Sequence, residues 1–483
     1  MCLQASIEAE QQAVKSVRVF PIMASLMLAG FVGTFNETAL NIALSNFIQV
    51  FSISTSIAQW LTTGYLLTLG ILIPLSGLLM QWFTTRQLFL TAAIVSLGGA
   101  GIGGMAGSFE VLLTGRILQA TGTGLLLPLM FNMVFIIFPA HKRGMAMGLV
   151  TMIFTAAPAV GPTVSGLLIA NLSWHWIFWL SFVLMLIALL VGSLYMQNVS
   201  TITKPRIDLF SLAVSTVGFG GIVFGFSHAG EGDAGWNSAM VVWPLIVGGV
   251  ALILFVYRQL TMERPLMNVK AFKHPMFLVG TLLIFVCMSI NISSMLLLPM
   301  FLIRVLEMST LSAAIILLPG GIVMGLSSPL IGRLFDKFGP RFLVIPGLVL
   351  AAVALWFFSD ITAISTTAFI VTLHVCLMIG IALVWMPAQT NGMNQLPREM
   401  HRDGTAIMNS LIQVAGAIGM AVTVSIMTAG GNKYMKAASM ATESPITPEA
   451  LAAGIQDAFL FVLSVAVAGA IVGLMIKRVK VSR

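Results

Sequence analysis

The 483-residue chain is 58% hydrophobic and only 8% charged, where a soluble domain carries about 25% charged residues. No polar stretch is long enough to bury a core of its own. A soluble enzyme is therefore excluded, and the chain reads as an all-α polytopic membrane protein. The net charge of +8 fits basic loops at one membrane face better than a nucleic-acid partner.

The first twenty residues are polar and include Lys15 and Arg18. The apolar run after them is too long for a signal-peptide core, so it is expected to stay as the first membrane helix. Crossing a hydrocarbon layer of about 30 Å takes roughly 20 apolar residues. Polar or Gly/Pro-marked breaks then give fourteen predicted helices: 20–44, 56–80, 87–107, 110–137, 144–170, 174–196, 208–228, 238–258, 276–302, 310–332, 341–359, 364–392, 404–429 and 455–477. The three cysteines, Cys2, Cys287 and Cys376, are far apart and suggest neither a disulfide framework nor a metal site.

Charge tests the count. With the N-terminus inside, 20 of the 24 Lys and Arg fall on inside segments, from Lys15 and Arg18 through Lys142 and Arg143 to the 477–483 tail; Arg304, Lys433 and Lys436 fall outside, and Arg116 lies within a helix. That bias supports both the helix count and cytoplasmic N- and C-termini. The chain also repeats internally. Gly77, Leu79, Phe83 and Arg86 after helix 2 recur as Gly332, Leu334, Phe338 and Arg341 after helix 10, each at an offset of 255 residues. Two six-helix halves, 1–200 and 261–483, account for this if helices 7 and 8 (201–260) are an insertion. Repeated halves point to a transporter with its substrate site near the midplane.

Helix 1 ends in Phe35-Asn36-Glu37-Thr38-Ala39-Leu40-Asn41-Ile42-Ala43-Leu44. A carboxylate there costs about 2.5–3.5 kcal/mol on insertion scales, so a use or a partner is expected. Arg116 in helix 4 is the matching cation. Helix 1 runs outward and helix 4 inward, which puts both side chains roughly 10 Å below the outer surface at 1.5 Å per residue. Glu37 and Arg116 are expected to meet directly or through one water. The alternative for Arg116 is snorkelling to a membrane face. Glu110, Glu307 and Asp457 fall at outer helix ends, where charge needs no special role.

The segment Gly332-Arg333-Leu334-Phe335-Asp336-Lys337-Phe338-Gly339-Pro340-Arg341 resembles the loop motif of the major facilitator superfamily at every defining position. Over nearly its whole length the chain resembles the fourteen-helix drug:proton antiporters of that superfamily. The resemblance implies two six-helix bundles rocking about a cavity lined by helices 1, 4, 9 and 12, with helices 7 and 8 at the side. It implies that Asp336, Lys337 and Arg341, with the motif glycines Gly332 and Gly339, form a breakable latch at the helix ends. In the first copy Gln81 replaces the acid and Thr84 the glycine.

Arg116-Ile117-Leu118-Gln119-Ala120-Thr121-Gly122 is similar to the family's Arg-x-x-Gln-Gly-x-Gly motif, where the arginine is tied to proton transfer. Ala157-Pro158-Ala159-Val160-Gly161-Pro162-Thr163-Val164-Ser165-Gly166 is similar to the antiporter motif on helix 5, with Pro158, Gly161, Pro162 and Gly166 carrying the likeness; plain tight packing is the alternative. Ser173-Trp174-His175-Trp176 reads as an interfacial belt. In the helix 1 motif, Asn36 stands at the family's aspartate position and Glu37 one residue later, about 100° around the helix.

Candidate cavity residues are Asn36, Asn41, Gln119, Asn291, His374, Gln389 and Asn391. For His374 a hydrogen-bonded packing role is the alternative. Asn409 and Gln413 are expected to serve helix packing. The 430–454 connection reads as a hairpin or cap near the exit or as a plain loop. No nucleotide-binding motif, metal cluster or nucleophile triad stands out, which argues against an ATP-driven pump and an enzyme; the resemblance implies a proton gradient as the energy source, with no cofactor. The leading reading is a monomeric proton-coupled exporter in the plasma membrane, and not an enzyme. Because Glu37 is the one carboxylate read as lying within the membrane, neutral or monocationic amphiphiles are favoured over dications. The rivals are a transporter of a lipid or native metabolite and a non-transporting receptor or scaffold.

Overall fold

The computed structural model describes residues 19–40, 43–199, 202, 208–230, 236–262, 265–362, 364–437 and 447–479. Asn41, Cys2, Lys15, Arg18 and part of the 430–454 connection lie outside them. Among the described residues, fourteen helices are long and apolar enough to cross a membrane. They are α1 Val19–Ala39, α2 Thr55–Trp82, α3 Thr85–Gly104, α4 Phe109–Ile137, α5 Arg143–Asn171, α6 His175–Tyr195, α7 Leu209–Gly230 and α8 Ala239–Thr261, then α9 Pro275–Met300, α10 Thr310–Phe338, α11 Arg341–Phe358, α12 Thr367–Gln395, α13 His401–Ala437 and α14 Pro448–Gly473. Many starts carry an N-cap hydroxyl: Ser54, Thr84, Ser108, Ser238, Ser309, Thr366 and Thr447 each accept a backbone N–H.

Two boundaries differ from the expected ones in ways that matter. The first helix stops at Ala39 rather than running to Leu44; a short helix, Leu44–Phe51, then fills the layer above it. Leu40, Ala43 and Phe47 are buried there with Phe109, Leu112 and Trp174. The hydrophobicity that suggested a longer helix therefore belongs to packing around the helix end. In the 430–454 connection, α13 continues to Ala437 and α14 begins at Pro448, so most of it is helix rather than loop.

Within 1–200, α1 packs on α4, α5 and α6, α3 on α4 and α6, and α2 on α4. The second half repeats this: α9 packs on α12, α13 and α14, α11 on α12 and α14, and α10 on α12. The halves meet mainly through two helix pairs that are images of each other in the repeat, α5 with α10 and α2 with α13. Helix α7 packs against both α2 and α13, and α8 packs on α7. At the start of that hairpin Arg258 Nε donates to Asp208 Oδ2 at 2.6 Å. This bond, with help from Ser211, holds the Asp208 carboxyl down to about 2, below its usual 3.8. Because the folded value is depressed, the contribution is complete above the unfolded value and fades as pH falls toward about 2. Asp208→Asn should therefore lower the thermal midpoint of detergent-purified protein slightly at pH 7, and the gap to wild type should shrink below pH 4.

Contacts between the halves tighten toward the end from which the basic loops emerge. Gly325 of α10 faces Thr155 of α5 with ordinary spacing, 3.5 Å from a Cβ built on the glycine. Two turns closer to the basic end, Gly148 is pressed on the Ser328 carbonyl, and Gly144 and Gly332 on one another, so that a methyl at any of these would strike backbone. On the other seam Gly77 of α2 lies against Ala406 of α13, 3.3 Å from the position of a Cβ. The halves are thus shut at the basic end.

Candidate functional site

Helix α1 turns a small-residue stripe toward α4. Gly30 lies against Met130, and a Cβ on Gly33 would fall 2.6 Å from the Thr123 methyl. Glu37 is the next position on this stripe, four residues beyond Gly33, and so it faces α4 near Arg116. Its neighbours face elsewhere. Asn36 accepts a hydrogen bond from Ser181 of α6 through Oδ1 at 2.6 Å. Thr38 faces α5, where Gly161 leaves room for its hydroxyl. One residue of helical rotation therefore separates a side chain bonded to α6 from one set beside the arginine.

Arg116 is 1% exposed. Its Nη1 donates to the Asn36 carbonyl at 3.0 Å and, more weakly, to Gln119 Oε1 at 3.4 Å. Asn36 lies in the last turn of α1, where a helix leaves carbonyls unbonded and carries partial negative charge. The guanidinium is thus a cap on the C-terminal end of α1. It also lies 4.2 Å from the centre of the Tyr65 ring, a cation–π geometry. Glu37 lies near enough to Arg116 and Tyr65 for its charge to be felt there, but no ion pair within 4 Å joins it to Arg116. Glu37 and Arg116 do not meet directly as expected; they share a polar nest in which the Asn36 carbonyl, not the carboxylate, touches the guanidinium. Glu37 itself is half-buried among otherwise buried neighbours. Three buried polar atoms of the nest, Asn36 Nδ2, Arg116 Nε and Gln119 Nε2, have no hydrogen-bond partner.

Sequence reasoning missed Tyr65, Ser181 and Thr123. The Tyr65 hydroxyl lies 2.9 Å from the Gly33 carbonyl and 3.0 Å from Thr123 Oγ1. The chain has only four tyrosines, and one at the middle of an apolar helix was a usable signal. Tyr65→Phe should cost about 1 kcal/mol, the net worth of one hydrogen bond. Tyr65→Leu should cost about 1–2 kcal/mol more, because the ring under the guanidinium goes too. Denaturant titration of the two variants separates these contributions.

The other candidates scatter. His374 is 8% exposed; its ring covers Gly320 of α10, and its Nδ1 has no partner. Asn291 is half-buried on α9. Gln389 is buried, with Oε1 unpartnered. Asn391 is buried and turned away from these, holding the C-terminal segment through Lys477 and Val479. Pro158 and Pro162 lie inside α5 and Gly161 touches α1, but a Cβ on Gly166 would meet nothing within 4 Å, so packing does not require that glycine.

At the basic end Asp336 Oδ1 and Oδ2 accept from the Gly144 and Met145 N–H groups, both at 3.0 Å. An acid of one half thus caps the first turn of α5 in the other. Gly332 allows the approach, and Gly339, with φ +82, ends α10. Lys337 lies over the Phe338 ring and Arg341 is exposed, and neither joins this contact. Arg143, read from sequence only as a topology charge, is 7% exposed. It donates to the Phe135 and Phe138 carbonyls at the end of α4 and, across the halves, to Asn394 Oδ1 at 3.0 Å.

Comparison with known proteins gives this arrangement its context. The Major Facilitator Superfamily profile matches residues 26–420. The lincomycin resistance protein LmrB of Bacillus subtilis is 56% identical over 481 residues, covering 100% of both chains. That of Listeria monocytogenes is 54% identical over 96% of this chain and 98% of its own. The multidrug export protein EmrB of Haemophilus influenzae is 27% identical over 83% of this chain and 78% of its own. Among solved structures, the proton:xylose symporter XylE covers 94% of both chains with a TM-score of 0.62 at 15% identity, which speaks for the fold alone. With the profile spanning most of its length and a relative matched from end to end, the chain belongs to the Major Facilitator Superfamily, a family of multi-pass membrane transporters rather than enzymes.

Proposed function

We propose that the protein is a proton-driven exporter of small amphiphilic drugs, neutral or monocationic and including lincomycin-type antibiotics, working by alternating access in the plasma membrane with both termini and the basic end in the cytoplasm. The observation that carries this is how Arg116 is held. Its charge is met by the carbonyl end of α1 and the face of Tyr65. Glu37, half-buried beside it, can therefore gain and lose a proton without leaving a buried guanidinium unpartnered. Proton occupancy changes the net charge of the nest, and that is the differential interaction a conformational equilibrium needs. The names of the relatives, resistance and export proteins, favour drugs over a native metabolite.

Purified protein in vesicles carrying a pH gradient and a pH-sensitive dye tests this. Lincomycin and uncharged or singly charged amphiphiles should speed dissipation of the gradient, and dications should not. Dissipation by lipids alone would support a lipid transporter, and no response to any compound would remove proton coupling.

A further inference from the structure

The last described residues do not trail away from the protein. Beyond α14 the Ile476 side chain is fully buried. Asn391 of α12 then brackets the chain: Nδ2 donates to the Lys477 carbonyl at 3.0 Å and Oδ1 accepts the Val479 N–H at 3.1 Å. Asn391 is itself 1% exposed, and both ends of its amide are spent on backbone. Between these two bonds Arg478 reaches the end of α10. Its Nη2 donates to the Asp336 carbonyl at 2.9 Å and its Nη1 to the Lys337 carbonyl at 3.2 Å. Its aliphatic part lies along Gly339, 2.9 Å from where a Cβ would sit, so a side chain at that position would push the arginine off.

Asp336 is thereby held from two directions. Its carbonyl is bound by the C-terminal segment, and its carboxylate binds the start of α5 in the other half. A basic tail that served only to set topology would need no bracketing amide and no fixed arginine.

We propose that Ile476–Val479 is a strap, fastened by Asn391, through which Arg478 positions Asp336 and sets how much of the time the basic end stays shut. Arg478 and Asn391 are positioning residues: neither bonds to the other half, and both act through the end of α10. The proposal rests on the alternating-access reading, but its test needs neither a drug nor a proton gradient.

Spin labels on cysteines replacing Phe83, in the α2–α3 turn, and Phe342, at the start of α11, report the separation of the halves at the basic end. The measurement uses full-length protein in lipid nanodiscs, in a background without other cysteines. Both positions are exposed. Wild type should give mainly the short distance. Arg478→Ala should raise the long-distance population several-fold, Arg478→Lys less, and Asp336→Asn at least as much as Arg478→Ala. The double variant Arg478→Ala/Asp336→Asn should open no further than Asp336→Asn alone, because the arginine acts through that latch. Asn391→Ala should repeat the Arg478→Ala result where it folds. An unchanged distribution for Arg478→Ala, or full additivity in the double variant, overturns the strap. Loss of drug export with these distance shifts intact would instead count against the functional reading.

Discussion

Glu37→Gln should reduce uphill export in energised vesicles to the level of protein-free vesicles while leaving the protein folded. Glutamine keeps the shape of the side chain but cannot exchange a proton. The charge that changes with proton uptake is thereby lost, while the packing around Gly33 and Thr123 is kept. Drug exchange down a concentration gradient should survive, because it requires only the two halves to rock. Stability should not fall, since an amide costs less than a carboxylate inside a membrane helix. Full uphill export by the variant would move proton coupling away from this residue. Loss of downhill exchange as well would assign Glu37 to substrate binding instead.

The second large effect falls on Arg116. Arg116→Ala should destabilise the protein by about 2–4 kcal/mol, from losing a buried charge-assisted hydrogen bond and the cation–π contact on Tyr65. The end of α1 loses its cap, and the buried amide of Gln119 loses its donor. Expression and thermal midpoint should both drop. Arg116→Lys separates folding from function. A lysine keeps the charge but not the flat guanidinium that lies on the Tyr65 ring while donating to Asn36. It should recover most of the stability and little of the coupled export.

Much of this was legible beforehand, for identifiable reasons. Fourteen hydrophobic spans and a strong loop-charge bias leave few other topologies, and an acid and an arginine in apolar helices invite pairing. The depth estimate reached the right neighbours from an incorrect end point. It ran helix 1 to Leu44, whereas α1 stops at Ala39. The early stop places helix-end carbonyls next to Arg116, and so the arginine meets Asn36 rather than the carboxylate directly. Nothing in residue spacing reports a helix end covered by a short helix that buries only one face. Arg143 and Arg478 were misread for a related reason. Both cap helix C-termini, Arg143 that of α4 just before it in the chain and Arg478 that of α10 from far along the chain, and in a sequence such arginines look like any others that mark the inner face. Asn391 was drawn to the cavity list because a buried polar residue in a lining helix is expected to face inward. Its partner proved to be chain 86–88 residues away on the far side of α12.

The α7–α8 hairpin gives the molecule a sidedness that the repeat alone would not. The two seams between the halves are images of each other, but α7 bridges one of them by lying on both α2 and α13. The α5–α10 seam has no such cover among the described residues. A compound dissolved among the acyl chains therefore meets a shuttered flank on one side and a bare joint on the other. If drugs enter laterally from the inner leaflet, they should do so past Gly148 and Ser328, and the hairpin would serve as the fixed wall against which that single doorway opens.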